Sequence, residues 1–180
     1  VNVCASKATK CIHCANLKAS NLDNIKLDKS VPYKTPVSVM VLIYTTDLKV
    51  LLIERADKAG FWQSVTGSVE VEDTSLRDTA IREVLEETGL QANNYALTDW
   101  HVSHEYEIYE HWRYRYASGV THNIEHLFGL ELPAPVDVQL APDEHVRYEW
   151  VDWREAAKRV FSWTNVEALR KLGERNNLIL

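Results

Sequence analysis

Cysteine is nearly missing from this 180-residue chain: it occurs three times, at Cys4, Cys11 and Cys14, and never again. The body of the chain therefore does not depend on disulfides, and a reducing cytoplasm is the expected setting. Cys11-Ile12-His13-Cys14 has the spacing of a zinc knuckle, but no second pair follows and none of the seven histidines forms a ligand pair, so no zinc is assigned. Glycine (6) and proline (5) are too scarce for a collagen-like or low-complexity chain. Long apolar runs are absent as well. The longest, residues 37–44, is broken by Ser38 and falls far short of the roughly 20 residues that span a bilayer. No membrane partner is expected, and no export signal is evident. A basic surplus is also lacking, with 20 Lys plus Arg against 26 Asp plus Glu. That balance argues against nucleic acid as a partner.

The net charge of −6 is unevenly placed. Residues 67–90 carry seven acids and two bases, which leaves the remainder near neutrality at 19 acids against 18 bases. A concentrated carboxylate cluster in an otherwise balanced protein suggests a cation site. Residues 1–30 show no clear periodicity and are read as a flexible N-terminal extension, and residues 31–180 as one domain.

Hydrophobic alternation predicts strands at residues 37–43, 50–53, 61–66, 124–132 and 146–151, and a hairpin within 97–116. A helix is predicted over about 74–88, stopped by Gly89, with two more around 153–160 and 164–175. Many strands with few helices, mostly not alternating one for one, indicate an α+β fold with a mixed sheet.

The chemistry concentrates on the first helix. Glu83, Glu86 and Glu87 stand at i, i+3 and i+4 and so share one face, with Ile81, Val84, Leu85 and Thr88 in the sector expected to pack under a sheet. Three like charges repel unless a counter-charge is present. A hard divalent cation, Mg²⁺ or Mn²⁺, would supply it through oxygen ligands. A solvated acidic face balanced by Arg77 and Arg82 is the other reading.

The wider segment reads G-S-V-E-V-E-D-(x)8-R-E-V-L-E-E-T-G-L. It resembles the box of the Nudix family, G-x5-E-x7-R-E-U-x-E-E-x-G-U with U aliphatic, and the match from Arg82 to Leu90 is complete. Asp73 replaces the usual glutamate after the glycine, and eight residues separate it from Arg82 where the pattern has seven. Further segments, Tyr33-Lys34-Thr35-Pro36, Phe61 to Ser68, Tyr114 to Thr121 and Ser162 to Asn165, resemble the branch of that family which acts on a dihydropterin triphosphate in bacterial folate synthesis.

The resemblance implies a Nudix fold, a mixed β-sheet between α-helices, and Mg²⁺-dependent hydrolysis of 7,8-dihydroneopterin triphosphate to the monophosphate and pyrophosphate. It implies Glu83 and Glu87 as metal ligands, Glu86 as a further catalytic carboxylate, Arg82 as the ion-pair partner that orients a glutamate, and Gly67 as the turn before the helix. The general base or extra ligand is placed at Glu144, with Glu125 as its competitor; an exposed strand residue is the plain alternative for Glu125. Implied substrate contacts are Lys34, Arg55, Thr66, Ser162 and the run Tyr106-Glu107-Ile108-Tyr109. Each has a structural alternative: surface charge for Lys34, an ion pair with Glu54 or Asp57 for Arg55, a strand hydroxyl for Thr66, core or hairpin packing for the tyrosines, a helix N-cap for Ser162. Tryptophans are assigned to the core. Two rival functions remain: a nucleoside or deoxynucleoside triphosphate pyrophosphohydrolase, and a catalytically silent binding module on the same fold. Oligomeric state is not legible.

Overall fold

The computed structural model describes residues 33–180. The expected extension, residues 1–30, and its Cys-x-x-Cys lie outside the described residues. The elements run β1 Val37–Thr45, β2 Lys49–Arg55, β3 Trp62–Gln63, β4 Val65–Ser68, α1 Leu76–Thr88, β5 Ala96–Glu107, β6 His122–Leu132, β7 His145–Asp152, α2 Trp153–Arg159 and α3 Trp163–Arg175.

β1 is apolar on both faces because both are covered. Val39, Val41 and Ile43 join Ala80 and Val84 of α1 in one core layer. Met40, Leu42 and Tyr44 join Trp153 of α2 and Ala168, Leu169 and Leu172 of α3 in the other. The seven strands form one mixed sheet with α1 on one face and α2 and α3 on the other, an α+β arrangement. Burying a single Leu or Val in these layers contributes about 1.5–3 kcal/mol.

The sheet forks at β1. Parallel β6 occupies one edge of β1 along its whole length, from Val37↔Ile124 to Thr45↔Leu132. The other edge is shared, by β4 over Ser38–Val41 and by β2 at Tyr44↔Val50. The strand expected over 61–66 is accordingly two strands. β3 pairs with β2, β4 pairs with β1, and Ser64 lies between them. The Ser64 N–H donates to Asn165 Oδ1 at 2.9 Å, so a side chain of α3 replaces a ladder partner at the break.

The hairpin expected within 97–116 is not formed. β5 runs to Glu107 and then turns into a 3₁₀ helix, Glu110–Arg115, and the partner of β5 is β6. Arg113 fixes that turn through Nε to the Ile108 carbonyl. α1 starts at the Ser75 cap, whose hydroxyl accepts from the Asp78 N–H, and ends at Gly89 with φ 71°, a left-handed position that glycine occupies without side-chain strain. Leu85 faces solvent instead of the sheet, because the acids Glu83 and Glu87 take the inward places beside Val84. Trp163 is also exposed, unlike the buried Trp62, Trp100 and Trp153. No helix among the described residues is long and apolar enough to cross a membrane.

Candidate active site

α1 lays its acidic face along β4, on the branch of the fork away from β2. Gly67 is not a turn: it is a strand residue paired with Val39. A Cβ there would lie 1.7 Å from Glu83 Cδ, so the missing side chain is the space the Glu83 carboxylate occupies. Close approach of a carboxylate to backbone is the reason for this glycine.

Arg82 ties the segment together. Its Nη1 reaches Glu83 Oε1 at 2.7 Å and Glu86 Oε2 at 3.0 Å, while Nη2 donates to the Ser68 carbonyl at 2.9 Å. Nε and Nη2 both donate to Asp73, at 3.2 and 2.9 Å. Asp73 also accepts from Thr79 Oγ1 and from the Glu70 N–H. The substituted aspartate with its longer spacer is thus caught in an arginine fork, which holds its carboxyl below the ordinary range although burial pulls the other way.

The three glutamates differ in setting. Glu86 is exposed and its side chain pairs with Arg82. Glu83 is buried, and burial raises its carboxyl to about 7 against the opposing charge of Arg82. Glu87 is deeper still, with 4% of its side chain exposed, and burial raises its carboxyl against contacts from His145 and the Thr66 backbone. Across the fork, the start of β7 brings Glu144 and His145 to Glu87; ligand atoms of the three lie within 4.8 Å of one another. The Ala56 N–H, donating to the Glu144 carbonyl at 2.8 Å, anchors this corner. Glu83 stands outside that group, engaged by Arg82 beside it.

His145 is a residue that sequence reasoning missed. Its Nε2 lies 3.1 Å from Glu87 Oε2, yet the two are out of line for a hydrogen bond. Glu87 Oε2 and both ring nitrogens therefore lack hydrogen-bond partners among the described residues. A buried carboxylate oxygen left in this state suits a cation, and a set of carboxylates suits a hard one. The donor set fits a divalent metal held by Glu87 and Glu144 with Glu83 close by. A carboxyl raised to about 7 must lose its proton before it can ligate, so metal binding weakens as pH falls below 7. Titration with Mn²⁺ is expected to show affinity falling about fivefold between pH 7 and 6 and about tenfold per unit below that as one proton competes, with little change from about 7.5 to 8.5.

The remaining expected contacts are dispersed around this centre. Lys34 feels the fields of Glu83, Glu144 and Glu70; burial first and Arg115 second push its ammonium pKa down, against those acids. Its side chain therefore faces the same acidic mouth. Arg55 forms the alternative ion pair, with Asp57 at 2.7 and 2.6 Å, while also reaching Gln63 and lying over the Trp112 ring. Glu54 pairs with Arg147 instead. Thr66 accepts at Oγ1 from Gln63. Ser162 caps α3, accepting from the Asn165 N–H. Tyr106 accepts at its hydroxyl from Asn123 Nδ2. Glu107 pairs with Arg113, Ile108 is buried, and Tyr109 is exposed against His111 and Trp112. Glu125 is not an exposed strand residue: it is buried in β6 and is not a member of the Glu87 group.

Known proteins resemble this chain in sequence and in fold. The NUDIX domain model matches residues 34–172. The dihydroneopterin triphosphate diphosphatase of Escherichia coli K12 is 44% identical over 146 residues, covering 79% of this chain and 95% of that protein. The enzyme of the same name from Haemophilus influenzae is 42% identical over 144 residues, covering 77% and 88%. The solved E. coli dihydroneopterin triphosphate pyrophosphohydrolase superimposes with a TM-score of 0.71 at 42% identity, covering 78% of this chain and 97% of that one. With a family model matching well over half its length and the box helix folded against β4, this chain belongs to the Nudix family.

Proposed function

We propose that the protein hydrolyses 7,8-dihydroneopterin triphosphate to dihydroneopterin monophosphate and pyrophosphate, using Mg²⁺, in the cytoplasm. The observation that carries this reading is the likeness of 42–44% over nearly four fifths of the chain to enzymes named for that reaction. The convergence of Glu87, Glu144 and His145 beside Glu83 supports it.

Glu83, Glu87 and Glu144 would hold the metal, which when bound neutralises phosphate charge and acidifies water. Arg82 keeps the Glu83 carboxylate over Gly67, and His145 lies against the Glu87 carboxylate at 3.1 Å. Lys34 places a cation at the mouth, where a tetra-anionic triphosphate enters. Water attacks phosphorus, the α–β phosphoanhydride breaks, pyrophosphate leaves, and the water proton passes to a Glu144 carboxylate oxygen. Glu144 suits that role because it is exposed at the edge of the cluster, whereas Glu87 is sealed beneath it. Phosphorus NMR of the products tests the assignment. One equivalent each of pyrophosphate and pterin monophosphate is expected; orthophosphate alone, or a higher kcat/KM for deoxynucleoside triphosphates than for the pterin, overturns it.

A further inference from the structure

Cations gather on and beside the 3₁₀ turn Glu110–Arg115, and most of them are already engaged. Arg55 lies over the Trp112 ring and turns its charge to Asp57. Arg113 pairs with Glu107 and donates to the Ile108 carbonyl. Lys34 stands among Glu83, Glu144 and Glu70, which offset its ammonium. Arg115 differs. It is exposed, and no carboxylate among the described residues pairs with it. The charge beside it is a like one, that of Lys34. Neighbouring cations repel, and an anion that joins them removes the penalty.

The backbone holds this arrangement in place. The Lys34 N–H donates to the Arg115 carbonyl at 2.8 Å, and the Tyr116 N–H donates to the Arg113 carbonyl at 3.0 Å. Tyr116 in turn meets Ser68 at the end of β4, whose carbonyl accepts from Arg82 at 2.9 Å. The turn therefore runs from Arg55, at the end of β2, to the strand end that the box arginine grips, and sets Arg115 beside the acidic mouth. None of these ties uses the Arg115 guanidinium.

The geometry points to Arg115, with Lys34 beside it, as the clamp for the β- and γ-phosphates that leave as pyrophosphate. The inference rests on the proposed polyphosphate site and adds to it the residue that grips the leaving group. Glu87 and Glu144 stand together where a metal would serve the bond that breaks, with Glu87 sealed beneath. The terminal phosphates carry most of the substrate's charge, and Arg115 is the exposed cation on the outer side. A guanidinium meets two phosphate oxygens at once through parallel N–H donors, which an ammonium cannot do. A ligand that ends at its α-phosphate does not reach this clamp.

Calorimetric titration with pyrophosphate and with dihydroneopterin monophosphate, both in Mg²⁺, tests this. Arg115→Gln is expected to weaken pyrophosphate binding about tenfold, the lower end of the range for a hydrogen bond to a charged group because the side chain is exposed, and to leave the monophosphate within about twofold. Arg115→Lys keeps the charge without the paired donors and is expected to weaken pyrophosphate about threefold. Added salt should cost the wild type more pyrophosphate affinity than it costs Arg115→Gln, a difference that a merely structural role would not produce. No pyrophosphate binding by the wild type, unchanged affinity in Arg115→Gln, equal losses for the two ligands, or equal salt dependence in wild type and variant overturns the inference. If Arg115→Gln does not fold, Arg115→Lys carries the test: a loss confined to pyrophosphate supports the inference, and an unchanged ratio of the two affinities overturns it. Failure of the proposed function would appear separately, as a wild-type protein that binds pyrophosphate but releases none from the pterin triphosphate.

Discussion

Glu87→Gln lowers kcat by roughly 10³, equivalent to about 4 kcal/mol of transition-state stabilisation, with the fold retained. The amide has the shape of the carboxylate and can still accept from the Thr66 N–H, so packing between α1 and β4 is preserved. What disappears is the charge on an oxygen that has no protein hydrogen-bond partner and sits in one group with Glu144 and His145. Stability should hold or rise, since a desolvated charge is removed. Steady-state kinetics with urea unfolding checks both parts. A variant with kcat within a few-fold of wild type would place the metal elsewhere.

Arg82→Met has the largest expected effect on stability, a loss of about 3 kcal/mol, in the range for removing one partner of a buried ion pair. Asp73 and Glu83 both turn their carboxylates to this guanidinium, and their side chains are only 5% and 11% exposed. Without it they repel each other in a place water scarcely reaches. Arg82→Lys should recover little, because one ammonium cannot serve Asp73, Glu83, Glu86 and the Ser68 carbonyl from the directions a planar fork provides. The denaturation midpoint of each variant measures this. Adding Asp73→Asn to Arg82→Met should restore part of the loss, since it removes one of the stranded charges.

The box helix could be read from sequence because its signals are local. Acids at i, i+3 and i+4 and a terminal glycine are properties of a few consecutive residues. β1 was legible for a similar reason, an apolar run covered on both faces. The break at Ser64 was not: its cause is Asn165, 101 positions further along the chain. The hairpin expected over 97–116 failed because Arg113 ties the chain after β5 back to Ile108 in a 3₁₀ turn and the partner of β5 is β6, further along the chain.

Glu125 was read from sequence as the competitor of Glu144, or else as an exposed strand residue; it is buried instead. Its burial follows from which face α3 covers, and period-2 patterning does not say which. His145 carried no spacing signal, since its partner Glu87 lies on α1. Gly67 was legible as a glycine that matters, but the reason, a carboxylate lying where a Cβ would be, needed the packing of α1 on β4.

The sequence by itself determined the family, the strand-rich order of elements and the acidic face of α1, because each is written in short-range spacing. Tertiary structure alone decided that Glu83 and Glu87 point inward while Glu86 does not, that His145 joins them, and that Glu125 is sealed on the opposite face. Desolvation and pairing depend on neighbours brought together by the fork of the sheet, and those neighbours are far apart along the chain.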